Sequence, residues 1–105
     1  MRLALKKFFN TTVLITPKKA WTLYEEVVEI LKTGGEIILD FEGVKATTLI
    51  FHYVLFSNLY NKYGKTLKNK LQIKNASEEM IGLLQYLHRN YKELNIKFSG
   101  QLRLG

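Results

Sequence analysis

Residues 36–65, EIILDFEGVKATTLIFHYVLFSNLYNKYGK, decide the fold of this 105-residue chain. Ile37, Ile38, Leu39 and Phe41 form a short β-branched and aromatic run, with Gly34-Gly35 before it and Gly43 after it. An apolar run of that length between glycines predicts a strand covered on both faces, because so short a helix is marginal. Asp40, the only aspartate in the chain, falls inside the run. A carboxylate there needs donors, and N–H groups of the following turn or of the next helix are expected to supply them.

That next helix is expected to start at Thr48, whose hydroxyl can accept an N–H of the first turn, with Thr47 as the competing cap. Gly64, after Tyr63, is the stop. On a 3.6-residue period, Phe51, Leu55 and Leu59 form one stripe with His52 and Tyr63 at its edge. Leu49, Tyr53, Phe56 and Tyr60 form a second stripe beside it, and Ile50, Val54, Ser57 and Asn61 lie on the far side. The apolar arc is about twice the roughly 100° that a surface helix needs. Either both stripes are buried between a sheet and a neighbouring helix, or the second is a docking surface.

Outward towards the N-terminus, Thr16-Pro17 reads as a helix start, a capping Thr followed by proline at the first helical position. Ala20, Leu23, Tyr24, Val27, Ile30 and Leu31 give that helix its apolar stripe, with Glu25, Glu26 and Glu29 on the wet side and Trp21 at the stripe's boundary as core cover. It should run to about Thr33. Before it, residues 2–9 alternate imperfectly, like an edge strand guarded by lysines. Asn10-Thr11 can turn the chain so that residues 12–15 return, which makes residues 1–15 a hairpin.

Towards the C-terminus, residues 66–70 read as a basic connection and Lys70 to Lys74 as a short strand. Asn75 is the expected cap of a further helix, with Glu78 completing a capping box and Glu79 suited to the first turn. Met80, Leu84, Leu87, Tyr91 and Leu94 make its stripe; His88, Arg89 and Lys92 have the right sign for its C-terminal end. Residues 96–98 read as a short strand, and the rest of 96–105 as a tail. The whole predicts one α/β domain over residues 1–105, a mixed four- to five-stranded sheet with three helices in the order β-β-α-β-α-β-α.

These residues resemble a known family. The run ILDFEGV, a polar turn and TLIFHYVLFSNLYNKYG is similar to the bacterial STAS-like domain family of unknown function, whose pattern is a strand ending in Asp-Phe-x-Gly-Val and a helix ending in Tyr-Gly. Asp40, Phe41, Gly43, Val44, Thr48, Phe51, Tyr63 and Gly64 carry the match, and IKNAS at 73–77 resembles the family's next strand-to-helix turn. The likeness spans roughly residues 16 to 90. It implies a fold related to STAS domains and anti-sigma-factor antagonists, which are non-enzymatic modules that dock on partners, among them ATP-binding proteins of the histidine-kinase type. In the antagonists a serine at this helix start is phosphorylated. Its place is taken here by Ile50, and the preceding proline's by Leu49. The nearby hydroxyls, Thr48 and Thr47, are the possible phospho-acceptors, with Thr48 also expected as a plain cap.

Composition bounds the function. With no cysteine there is no disulfide framework or thiolate metal site. No apolar run is long enough to span a bilayer and the lysine-interrupted first residues make a poor signal peptide, so no membrane partner and a cytoplasmic location are expected. Asp40, Glu42 and His52 form the one conceivable carboxylate–imidazole set, and His88 is expected at the surface. No Ser/His/Asp elbow or phosphate loop is present, so neither enzyme, cofactor nor metal is expected. The net charge of +7 points to a second reading, a nucleic-acid patch at Lys62, Lys65, Lys68, Lys70 and Lys74 with Tyr60 just before them and Tyr63 among them. The preferred reading is a protein–protein docking module that regulates or inhibits its partner. Its surface would be Lys45, Thr47, Thr48, Ile50, Tyr53 and Val54, and a homodimer through the same patch is a further possibility.

Overall fold

A computed structural model describes residues 1–90. The elements run β1 (Arg2–Ala4), α1 (Leu5–Phe9), β2 (Val13–Leu14), α2 (Pro17–Leu31), β3 (Ile37–Asp40), β4 (Ala46–Thr47), α3 (Leu49–Tyr63), a 3-10 turn (Gly64–Thr66), α4 (Leu67–Lys70), β5 (Leu71–Lys74) and α5 (Glu78–Asn90). The expected tail, the strand at 96–98, and Tyr91, Lys92 and Leu94 lie outside the described residues.

The chain does not open with a hairpin. Leu5, Phe8 and Phe9 recur at i, i+3 and i+4, a helical spacing, and they turn the expected edge strand into α1 after three residues. Leu5 is fully buried, and Phe8 and Phe9 pack against the core. Asn10 closes α1 in the left-handed conformation (φ 54°), its N–H donating to the Lys6 carbonyl. The chain therefore leaves β1 by a helix and cannot fold straight back.

Both sheets are parallel rather than mixed. β3 is the centre of a three-stranded sheet in the order β1-β3-β5, with Leu39 opposite Leu3 and Ile73, and Asp40 opposite Ala4 and Lys74. β2 pairs with β4 in a separate ladder, Val13 opposite Ala46 and Leu14 opposite Thr47. Parallel neighbours need long crossovers, and α2 and α3 supply them. Right-handed crossovers stepping the same way along a sheet put their helices on one face. In agreement, α2 packs on α3, and α3 on α5.

The burial pattern shows the same one-sided layering. Leu3, Ile37, Leu39, Leu71 and Ile73 are buried, whereas Arg2, Ala4, Gln72 and Lys74 are exposed and Ile38 is half-buried. Among the described residues β3 is thus covered on one face, not on both as its unbroken apolar run predicts. Ile38 faces the accessible side, between Arg2 and Gln72.

The helix starts follow local chemistry. The Thr16 hydroxyl accepts from the Lys19 N–H at 3.2 Å, with Pro17 at the first position. α5 is capped by Ser77, whose Oγ accepts from the Met80 N–H at 3.2 Å, not by Asn75. Asn75 instead takes a positive φ of 59° and turns its side chain to Asp40.

Candidate functional site

The start of α3 is built by the turn leaving β3. Asp40 ends the strand and accepts three hydrogen bonds: Arg2 Nε at 2.9 Å, Asn75 Nδ2 at 2.8 Å and the Glu42 N–H at 3.0 Å. Burial pushes its carboxyl upward, but the bonds from Asn75, the Glu42 backbone and Arg2 outweigh that and hold its pKa below the ordinary carboxylate value. The turn supplies one donor, as expected; the other two come from β1 and from the end of β5. The Val44 N–H closes on the Phe41 carbonyl at 3.0 Å, and Gly43 sits at φ +81° with the Lys6 side chain lying across it. The Lys45 and Ala46 N–H groups then reach the Thr12 carbonyl, which seats β4 on β2.

Thr48 is the cap. Its Oγ1 accepts from the Phe51 N–H at 3.3 Å and donates to the Ile15 carbonyl at 2.8 Å. One hydroxyl thus starts α3 and fastens it to the end of β2. Thr47 lies 2.8 Å, Oγ1 to Nε2, from His52.

His52 is fully buried within reach of the Phe41, Phe51 and Phe56 rings and nearly parallel to Phe56 (12°). Burial pushes its pKa down to about 4, so the ring is neutral at pH 7. Its Nδ1 is buried without a hydrogen-bond partner. The tautomer that agrees with this puts the proton on Nε2, donated to Thr47, and leaves Nδ1 as a bare lone pair; an N–H there would have no acceptor. His52 is therefore a core residue, deeper than the stripe's edge.

The remainder of α3 sorts as its two stripes propose. Phe51, Leu55 and Leu59 are buried, and Phe56 joins them from the second stripe, while Leu49, Tyr53, Val54 and Tyr60 are half-buried against the core. Ile50 is 47% exposed. Of the expected docking residues, Lys45 and Ile50 are exposed, and Thr47, Thr48, Tyr53 and Val54 are half-buried. All six lie between the residue before β4 and the second turn of α3, with Thr48 as the cap between the two elements.

The other expected constellations come apart. The Glu42 backbone, not its carboxylate, bonds to Asp40, and His52 turns to Thr47. Among the described residues no three His, Asp or Glu side chains are grouped to hold a metal. Asp40 and Glu42 do share a cleft of about 700 Å³ with Ala4, Lys6, Lys7, Asn10, Thr11 and Thr12, at the carboxyl ends of β1 and β3. In the lysine run, Lys62, Lys65 and Lys68 are exposed and Lys70 is half-buried, around the end of α3 and α4. Lys74 ends β5 beside Asp40, three residues of strand from Leu71, or about 10 Å. His88 is half-buried, its Nδ1 enclosed without a partner, rather than at the surface.

Three further exposed residues, on β2, just after it and in α2, depart from expectation. Val13 is 38% exposed, Ile15 42% and Trp21 47%. Trp21 is not core cover; it stands edge-on to Tyr24 with ring centroids 5.6 Å apart. Alternation within Val13-Leu14-Ile15 is the signal that places the first two: Leu14 points in, so its neighbours point out.

A three-stranded parallel sheet with helices on one face, and a turn-and-helix unit presenting Ile50, define a small α/β domain of STAS-like type. The chain belongs to the family described as STAS-like domain of unknown function (DUF4325), whose model matches residues 20–80, more than half of the 105. Neither a curated protein nor a solved structure matches it. No described helix is long and apolar enough to cross a membrane.

Proposed function

We propose that this domain is a non-catalytic docking module that regulates or inhibits a partner protein, bound by the start and outer face of α3: Lys45, Thr47, Thr48, Ile50, Tyr53 and Val54. The observation that carries the reading is Ile50, a large aliphatic side chain left 47% exposed in the first turn of a helix whose start is fixed on both sides. A rigid apolar projection is cheap to bury on a partner, because little ordering remains to be done. The family membership supports a protein partner, and by resemblance one of the histidine-kinase ATP-binding type. A cytoplasmic site of action belongs to the same proposal and rests on the cysteine-free composition.

Phosphorylation of Thr48 or Thr47 would act on the same surface. Either hydroxyl is engaged, Thr48 with Ile15 and Phe51 and Thr47 with His52. A phosphate on Thr48 would give up the Ile15 bond while gaining the favourable end of the α3 dipole.

The test is affinity capture from the source cell with wild type and Ile50→Asp, with nuclease present. Ile50 is exposed, so the variant should keep its melting temperature within a few degrees. A protein retained by wild type and lost by the variant supports docking. A wild-type homodimer that the variant turns into a monomer makes the partner a second copy. Recovery abolished by nuclease, equally for both proteins, rejects the docking reading in favour of the lysines around α4.

A further inference from the structure

The described residues leave six large hydrophobic side chains exposed: Met1, Val13, Ile15, Trp21, Ile50 and Tyr86. Pairing and one hydrogen bond bring Val13, Ile15 and the start of α3 together, and Trp21 stands one turn into the helix that leaves β2. Val13 and Ile15 flank buried Leu14 on β2, and β2 lies beside β4. The Ile15 carbonyl is bonded to Thr48, two residues before Ile50. Trp21 follows one turn into α2, about 6 Å along its axis from Pro17. The docking face of α3 therefore continues across the small ladder to the start of α2.

Its charge is positive where β2, β4 and the start of α2 meet. Lys45 precedes β4 and is tied through its N–H to Thr12, and Lys18 and Lys19 open α2. No Asp or Glu occurs in residues 10–24 or 43–61, the two stretches that build this face. Neither α2 nor α3 has an acidic residue in its first turn. Lys18 and Lys45 are exposed, and none of the three lysines has an ion-pair partner within the described residues. Of the carboxylates that border these stretches, Glu42 stands off at the cleft shared with Lys6 and Lys7, and exposed Glu25 with half-buried Glu26 follows Trp21 one turn further along α2, at the edge of the face.

We infer that the β2–β4 face binds an acidic segment of a partner protein, one in which carboxylates alternate with aliphatic or aromatic side chains. The apolar residues would cover Val13, Ile15, Trp21 and Ile50, and the carboxylates would meet Lys18, Lys19 and Lys45. This rests on the docking reading and adds to it the chemistry of what docks. The lysines set orientation and encounter rate, while the apolar patch holds the complex. A basic or neutral segment would leave three ammonium groups facing like charge or none.

The experiment is selection from a displayed library of random 16-residue peptides against the full chain. Binding of the enriched peptides is then followed by the fluorescence of Trp21, the only tryptophan. Enriched sequences should hold several Asp or Glu among Leu, Ile or Phe, and should shift Trp21 emission to shorter wavelength. They should bind Lys18→Glu/Lys45→Glu about tenfold more weakly and fail to bind Ile50→Asp. Peptides that lack acids, yet are lost on Ile50→Asp, would overturn the acidic chemistry and leave the docking surface standing. Peptides that bind wild type and Ile50→Asp alike would overturn both. Failure to enrich any sequence would reject a short linear segment as the occupant. Displacement of the peptides by a single-stranded oligonucleotide that itself binds Ile50→Asp undiminished would assign the face to nucleic acid and overturn the inference.

Discussion

Burying an imidazole among three phenyl rings makes His52 a pH-dependent weak point. Its pKa falls from 6.5 in the unfolded chain to about 4 in the folded one. Between those values the unfolded state binds the extra proton, so stability falls as pH drops below 6.5 and levels off near 4. The loss should be about 3 kcal/mol across that window. Urea titrations at pH 7, 5.5 and 4.5 should show it, and His52→Phe should abolish the decline over that range. Asp40 acts in a lower window. Its folded pKa is depressed, so its contribution is complete above its ordinary value of 3.8 and is lost as pH falls further, through the folded pKa. Asp40→Asn should cost about 1–3 kcal/mol at pH 7, since Asn75 then faces an amide and Arg2 loses its counter-charge. Unchanged urea midpoints would contradict that account.

At the scale of elements, Thr48 joins two segments with one hydroxyl. Thr48→Ala should cost about 1 kcal/mol for the cap, and more for the lost bond to Ile15. Thr48→Ser, which keeps both bonds, should recover most of it. Gly43 is as demanding. At φ +81° a β-carbon would be strained, and it would also stand 2.8 Å from Lys6 Cδ. Gly43→Ala should destabilise by about 1–2 kcal/mol, with Lys6→Ala relieving the contact but not the backbone. These positions lay open in the sequence because their signals are local: Thr before an apolar run, Gly after a strand, Pro17 at a helix start. β3, β5 and the three long helices were legible for the same reason. What was not legible is pairing. β2 and β4 are two residues long, and nothing within Ala46-Thr47 announces a partner more than thirty residues away. The alternation of residues 2–9 hides the spacing of Leu5, Phe8 and Phe9, so the pattern predicts strand where a helix forms. Of the exposed apolar side chains on the proposed face, only part was legible. The width of the α3 arc pointed to Ile50, but the exposure of Trp21 depends on how α2 seats, which its own periodicity does not fix.

At the scale of the molecule, stability should be uneven. β3 is bonded on both sides and backed by the core, whereas the β2–β4 ladder is two residues deep and lies at the surface. Amide exchange at Leu39 should be the slowest class and report global unfolding, and that at Ala46 should open well below it. Equal protection at the two would mean that the small ladder unfolds only with the whole domain.

That small ladder also has a mechanical meaning. α2 leaves from the end of β2 and α3 from the end of β4, so two long packed helices share one anchorage of two residues per strand. Load applied to this face is not dissipated in a loop. It reaches both helices through a single short joint, held by the Thr12 carbonyl at one end and the Thr48 hydroxyl at the other. Under tension the joint acts as a fuse: when it gives, α2 and α3 are left held to one another by their own packing alone.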